Sequence, residues 1–380
     1  MRTFTFICHR PYHYFVAAVL AIKKKQIYPN STFNCINFDV YTFSGKNKKV
    51  NYTKNCNLST YDNLLTDITI FDDTQWLSRK GEQSIWNIVS FYKYYNQTIQ
   101  NYRDIIKGYS DCDNLYIFSD KEKPVEIMSL LLIEMFNPKV YLIDEGMVSY
   151  YYQNNIIKKV LKSSLVQLLQ LKYITDNYNY GESKIFDVFI TYDKTKIAIP
   201  ILSKILEMPP IDFNCLRHYM TAKFPVFDNK SVLFISTPLT EPGSITEREL
   251  NNMKSIINKW EMLGYRVIIK LHPLENIDKY VFLKNYHGTV IVDEKNIPPE
   301  IFYGDVTIIT GFSSSAVLNA SRLKNKIVIS YNLIFNWDIK NSHLLMKKHS
   351  INYITDLEEI KYIIRSPKNY YTQNLQPNIE

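Results

Sequence analysis

The chain has 380 residues, 46% of them hydrophobic, and 45 Lys and Arg against 37 Asp and Glu leave a net charge of +8. A single core stops growing near ~250–300 residues, so two domains are expected. Only 10 glycines occur, and none are spaced as GxGxxG or GxxxxGK(S/T), which excludes a P-loop, a kinase glycine loop and the standard dinucleotide fingerprint. Any bound phosphate must then be held by helix N-termini and side chains. The scattered lysines fit a mildly basic solvated surface, with attraction to anionic substrates or an anionic membrane surface as the alternative, and no nucleic-acid recognition motif accompanies them. The five cysteines (Cys8, Cys35, Cys56, Cys112 and Cys215) show no paired or metal spacing, which fits a reducing compartment. Met1–Cys8 reads as the start of a strand rather than a leader, and the apolar run Phe15–Ile22 is far shorter than a membrane span needs. The expected location is cytoplasmic, with attachment to the inner membrane face left open.

Thr3–Cys8 is expected to form a strand, and Pro11 to open a helix, because the missing N–H of proline costs nothing in a first turn. Leu115–Phe118 and Val140–Ile143 read as strands around a helix over Pro124–Met135, and Phe186–Thr191 as another strand. Ile156–Leu171 carries Lys158, Lys159 and Lys162 with Leu161, Leu165, Leu168 and Leu169 at helical spacing. That pattern fits a helix packed on its own domain or one lying on a membrane. Pro209–Asn229 is weakly periodic, with prolines at 209, 210 and 225, and reads as a linker.

The second half repeats the alternation. Val232–Ser236 reads as a strand, and Ser244-Ile245-Thr246-Glu247 as a capping box opening a helix to about Leu263, ended by Gly264. Arg266–Leu271 reads as a strand ending in His272-Pro273, followed by a strand over Thr289–Val292. Asp305–Thr310 reads as a strand ending in Gly311, with Ser313–Ser315 opening a helix, then a strand over Lys326–Ser330 and a helix over Thr355–Arg365. The predicted fold is α/β in the GT-B arrangement, two Rossmann-like domains facing across a cleft. The predicted boundaries are an acceptor-side domain at 1–210, a linker at 211–230 and a donor-binding domain at 231–380, whose terminal helix is a candidate to pack back.

Ligands of open α/β sheets lie outside the carboxyl ends of strands, which selects three places here. His272 ends an apolar strand, and Pro273 cannot continue the ladder, so the imidazole is displayed where it can bind an anion or protonate a leaving group. Lys270 alternates onto the same side. The same histidine equally fits a packed strand end. Ser313, Ser314 and Ser315 follow Gly311; a helix N-terminus with adjacent hydroxyls holds anions, although one serine also serves as an ordinary cap. Asp144 and Glu145 precede Gly146, and a carboxylate there can act as a general base or cap the turn. His9, Arg10 and His13 follow the first strand and are candidates to line the acceptor side. Asp111-Cys112-Asp113 matches DxD, but it precedes a strand instead of following one and reads as a solvated turn.

Asp144-Glu145-Gly146, His272-Pro273 and Ser313-Ser314, in that order and each after a strand, resemble the (D/E)-(D/E)-G, HP and Ser/Thr-pair motifs of the bacterial GT-B sialyltransferases. The opening Phe6-Ile7-Cys8-His9-Arg10-Pro11-Tyr12-His13 is similar to the lipooligosaccharide sialyltransferase and polysialyltransferase group. The resemblance implies inverting transfer of sialic acid from CMP-sialic acid to a glycan acceptor of lipooligosaccharide or capsule type, with no metal and no other cofactor. It implies Asp144 as base, His272 on the CMP phosphate, Ser313 and Ser314 holding that phosphate, and Glu300 as the nearest match to a ribose-binding glutamate. Teichoic-acid polymerases that use CDP-glycerol resemble the C-terminal half, and a non-catalytic glycan-binding GT-B subunit is a third reading.

Overall fold

The first strand, β1 (Thr3–Cys8), is buried along its whole length. Its residues Thr3, Phe4, Thr5, Phe6, Ile7 and Cys8 are apolar or β-branched on both faces, which suits the covered middle of a parallel sheet. The computed structural model describes residues 1–9, 11–39, 41–44, 48–51, 65, 67–72, 85–120, 123–144, 156–175, 180–197, 201, 203–209, 211–219, 224–237, 246–272, 275, 277–286, 288–294, 297–312, 314–335 and 349–365. After β1 come α1 (Pro11–Ile27), β2 (Thr32–Asp39), a pair β3 (Tyr41–Ser44) and β4 (Lys48–Asn51), β5 (Asp67–Asp72), α2 (Ile85–Ile106), β6 (Asn114–Ile117), α3 (Lys123–Phe136), β7 (Lys139–Ile143), α4 (Ile156–Leu168), β8 (Val188–Thr191) and β9 (Lys204–Glu207). The second series is β10 (Ser231–Ile235), α5 (Glu247–Met262), β11 (Arg266–Lys270), β12 (Thr289–Val292), β13 (Ile308–Gly311), α6 (Ser315–Ser321), β14 (Ile327–Ser330), β15 (Asn352–Tyr353) and α7 (Glu359–Arg365).

Two compact units result, one of Met1–Thr42 with Asn51–Ile211 and one of Phe43–Val50 with Asp212–Glu380. The first holds a seven-stranded sheet ordered β5-β2-β1-β6-β7-β8-β9, the second a six-stranded sheet ordered β12-β11-β10-β13-β14-β15. Every neighbouring pair in both sheets is parallel. Each chain path runs outward from its first strand, then returns to that strand's other side. The order therefore reverses between β1 and β6 and between β10 and β13, and crevices for ligands open at the carboxyl ends beside such switch points.

Short-range details explain where elements begin and stop. The helix expected to open at Ser244 is capped two residues later. Thr246 is extended (φ −73°, ψ 154°); its hydroxyl accepts from the Glu249 N–H at 3.2 Å, and the Glu249 carboxylate accepts from the Thr246 N–H at 2.8 Å. The S/T-x-x-E pattern occurs in both frames, and Thr246 supplies the extended residue that a cap requires. Gly264 follows this helix with φ +78°, the left-handed turn glycine tolerates. Gly311 is needed for a different reason: a Cβ there would lie 2.6 Å from the Ile235 carbonyl oxygen of the neighbouring strand. The strand expected from Asp305 begins only at Ile308. Asp305 instead pairs with Arg217, whose guanidinium also donates to the Ile301 carbonyl at 2.8 Å. Phe224 and Phe227 pack on Phe302, with ring centroids 5.8 and 5.5 Å apart. The stretch expected to be a linker thus contains a 3-10 turn at Asn214–Tyr219 and packs on the turn at Pro299–Phe302. Among the described residues no helix is long and apolar enough to cross a membrane.

Candidate active site

In the first unit, register alone assembles a row. Ile7 pairs with Ile117, Ile117 with Leu142, and Leu142 with Phe189. Two residues further on, the same row holds His9, Ser119, Asp144 and Thr191, which are 2%, 3%, 1% and 0% exposed. Side chains alternate along a strand, so these four share one side of the sheet's carboxyl edge. The Asp144 N–H extends the ladder to the Ile190 carbonyl at 2.8 Å. Its carboxylate Oδ2 accepts the Thr191 hydroxyl proton at 3.1 Å, while the Thr191 oxygen accepts from the Asp193 N–H at 3.4 Å. A hydroxyl has one proton, so Thr191 is oriented from behind and fixes Asp144.

His13 lies beside this row. Its ring stacks on Phe118 at 4.5 Å and meets the His9 ring edge-on at 4.2 Å. The His9 backbone N–H donates to His13 Nδ1 at 3.4 Å. A backbone amide only donates, so in the neutral ring the His13 proton sits on Nε2. The Tyr12 and Tyr192 hydroxyls meet at 3.2 Å. Asp120, just past β6, accepts from the Gly181 N–H at 3.0 Å and the Ser183 N–H at 3.3 Å, and burial raises its carboxyl to about 6. Arg10, Glu145 and Gly146 lie outside the described residues.

The second unit builds a charged counterpart. Ile235 pairs with Lys270 and with Gly311, and Gly311 with Ser330. Two residues on, His272 and Thr237 stand level, and Ser314 caps the adjacent helix α6. The His272 N–H donates to Ser236 Oγ at 2.8 Å, and its carbonyl accepts from the Glu275 N–H at 2.9 Å. Burial, with Lys270 adding to it and Glu275 opposing it, lowers the imidazole to about 4, so His272 is neutral near pH 7. Lys270 is buried and donates to the Leu271 carbonyl at 2.8 Å. Glu300, on the turn at Pro299–Phe302, accepts from Asn319 Nδ2 at 3.0 Å through Oε1, whereas its buried Oε2 has no hydrogen-bond partner among the described residues. Burial raises the Glu300 carboxyl, and Asn319 and Lys270 oppose that rise. Ser314 Oγ accepts from the Val317 N–H at 3.3 Å, which leaves the hydroxyl proton to donate elsewhere. Ser315 is exposed. Pro273 and Ser313 lie outside the described residues.

Asp111 and Asp113 sit at the opposite, amino end of the first sheet. Asp113 accepts from the Thr3 N–H at 2.7 Å, and Asp111 from the Cys112 N–H at 2.7 Å. Both carboxylates therefore serve the backbone where β1 and β6 begin. Among the described residues no group of three or more His, Cys, Asp or Glu is arranged to hold a metal ion.

Residues 5–333 match the family described as alpha-2,8-polysialyltransferase (POLYST). The chain belongs to this family. It is a sialyltransferase. No protein of curated function matches the sequence. Among solved structures, a sialyltransferase from Photobacterium damsela superposes with a TM-score of 0.50 at 14% identity, covering 93% of this chain and 81% of that one. A protein assigned as a UDP-N-acetylglucosamine 2-epimerase, from Listeria monocytogenes, superposes with a TM-score of 0.56 at 10% identity, covering 99% of this chain and 91% of that one. Likeness at this identity shows the fold alone, which is GT-B, shared by glycosyltransferases and epimerases. The family places the chain with sialyltransferases rather than with teichoic-acid polymerases.

In this polysialyltransferase-family chain, sequence reasoning overlooked Thr191, Asp120, Ser236 and Glu275. The rule that selected His272 also points to Asp120, Thr191 and Ser236, because each stands at or just past a strand end. Glu275 gives no such signal, since its place depends on a turn that returns it to His272.

Proposed function

We propose that this sialyltransferase moves sialic acid from CMP-sialic acid to a hydroxyl of a glycan acceptor of lipooligosaccharide or capsule type, with inversion and without a metal, on the cytoplasmic side of the membrane. The observation that carries the reading is the contrast between the two strand-end sites. One presents the Asp144 carboxylate, oriented by Thr191. The other gathers a buried lysine, an imidazole, a Ser-capped helix start and a glutamate with one unpartnered oxygen.

An acceptor hydroxyl attacks the anomeric carbon as the bond to the CMP phosphate breaks. Asp144 takes the hydroxyl proton, and CMP leaves with the electron pair of the broken bond. Charge grows on the phosphate, so donors aimed there lower the barrier. Burial keeps His272 neutral near pH 7, and an arriving phosphate, as a nearby negative charge, favours its protonation. Ser313, Ser314 and Ser315 at the start of α6, and Lys270 behind His272, add donors and positive charge. The unpartnered Glu300 Oε2 suits a ribose hydroxyl, since a buried acceptor without a partner costs free energy that a ligand O–H recovers. His9, His13, Arg10 and Glu145 are the acceptor-side candidates. On α4, exposed Val160 and Leu168 stand on the same helix as exposed Lys159, which supports peripheral contact with an anionic membrane.

Incubating the purified chain with CMP-sialic acid and a panel of galactosides and sialosides, in EDTA, tests this directly. The expected result is CMP release matched by a sialylated product. Activity that disappears on chelation and returns with Mn²⁺ would overturn the metal-free part. CMP release from no acceptor in the panel, with release from CDP-glycerol instead, would overturn the donor.

A further inference from the structure

Directly behind His272 lies an ion pair with no assigned role. Glu275 Oε1 accepts from Lys279 Nζ at 2.9 Å, and the two side chains are 1% and 6% exposed. The Tyr280 hydroxyl lies 3.0 Å from both Glu275 oxygens. Ser236 is the residue that accepts the His272 N–H at 2.8 Å, while the Glu275 N–H holds the His272 carbonyl at 2.9 Å. The His272 peptide is thus clamped on both sides, and Tyr280 and Lys279 hold the side chain of the residue that supplies one clamp.

Burying such a pair is costly, and apolar residues of similar volume would often stabilise a fold as well or better. A purely structural origin therefore explains this cluster poorly. Its position explains it better. Among the described residues, the charged groups acting on His272 are Lys270, at the end of the preceding strand, and Glu275, three residues on; Lys279 and Tyr280 contact Glu275. Glu300 acts on Lys270 rather than on His272. Glu275 is the acidic member of that set, and Tyr280 and Lys279 fix where its charge lies.

We propose that Glu275 is a positioning residue for His272: its N–H braces the His272 carbonyl, and its carboxylate, held by Tyr280 and Lys279, supplies the negative charge against which the imidazole takes up a proton when a phosphate binds. This rests on the reading of His272 as the leaving-group residue. Burial lowers the His272 imidazole and Glu275 acts in the opposite direction, which agrees with the geometry.

The test is ¹⁵N NMR of the His272 imidazole in the full chain, with and without saturating CMP, across pH. The resonance is assigned by its loss in His272→Ala. Imidazole nitrogens report their own titration, separately from the phosphate, which titrates near ~6. In the wild type, CMP should move the His272 midpoint upward. In Glu275→Gln/Lys279→Met, which leaves no unpaired buried charge, the CMP-bound midpoint should fall by about one pH unit, a tenfold lower protonated fraction above it. The alkaline limb of the kcat profile, which reports the group that must be protonated in the bound complex, should follow. Tyr280→Phe keeps both charges and should shift the midpoint the same way by a smaller amount, so it serves if the double variant does not fold. An unchanged midpoint in a folded variant would overturn the proposal. That failure is distinct from failure of the transfer reading, in which His272→Ala would keep full activity whatever the NMR midpoint does.

Discussion

The two strand-end sites differ in how they treat charge. In the first unit, the row His9, Ser119, Asp144 and Thr191 holds one carboxylate tied to a hydroxyl, flanked by the stacked rings of His13 and Phe118. In the second, Lys270, His272, Glu275, Lys279 and Glu300 crowd the ends of two neighbouring strands and their turns. Both sheets follow the same outward-and-return path, so topology does not produce the contrast. The residues placed at equivalent edges do. A single oriented carboxylate suits removal of one proton from a neutral hydroxyl. A dense, mutually screened set suits an anion whose charge increases during the reaction.

The contrast breaks most visibly in turnover. Asp144→Asn and His272→Ala should each lower kcat by roughly 10²-fold or more, in steady-state assays with CMP-sialic acid, while circular dichroism remains native. Near wild-type kcat in either variant would remove that residue from the chemistry. Gly311→Ala attacks the second site through its scaffold instead. The added Cβ would sit 2.6 Å from the Ile235 carbonyl, and overpacking of this kind costs about 1–3 kcal/mol, read as a lower denaturation midpoint. An unchanged midpoint would mean that β13 can move away from β10.

A finer separation comes from Ser314. Its Oγ caps α6, so Ser314→Ala should cost about 1 kcal/mol of stability and weaken CMP by about 0.5–1.5 kcal/mol. Ser314→Thr should restore both. Calorimetry and thermal melting on the pair would distinguish a cap alone, in which CMP affinity does not change, from a cap that also donates.

The two regions should also show opposite pH slopes. His272 falls to about 4 in the folded chain, below its usual ~6.5. The folded state then binds fewer protons than the unfolded state between those values, and stability drops as pH falls through that window. Asp120 rises to about 6 from ~3.9. Its contribution is full below about 4 and is lost as pH rises through 6. Relative to wild type, His272→Gln should therefore gain stability as pH falls from 6.5 to 4, and Asp120→Asn as pH rises from 4 to 6. Parallel pH curves for the two variants would contradict this assignment.

Much of this contrast was readable from residue order, and its gaps have physical causes. The strand Thr3–Cys8 and the His272 strand end were legible because parallel strands covered on both faces carry dense apolar residues, here Phe4, Phe6 and Ile7, and Val267, Ile268 and Ile269. β2 was passed over because Asn34 and Asn37 interrupt its run, although both are buried. α2 was missed because its inward positions include Tyr95 and Tyr102 beside Ile99 and Ile106, so the apolar stripe is written partly in tyrosine. Thr191 meets Asp144 from 47 positions away, and Glu275 meets His272 through a backbone hydrogen bond from its N–H to the His272 carbonyl. Long-range register and turn geometry of this kind leave no periodic trace.

The claim that acceptor chemistry and nucleotide binding reside in separate units is tested most directly by calorimetric titration of CMP into Asp144→Asn and His272→Ala. Asp144→Asn should bind CMP with wild-type affinity, while His272→Ala binds it measurably more weakly. Equal loss of CMP affinity in both variants would contradict the division and return Asp144 to the nucleotide site.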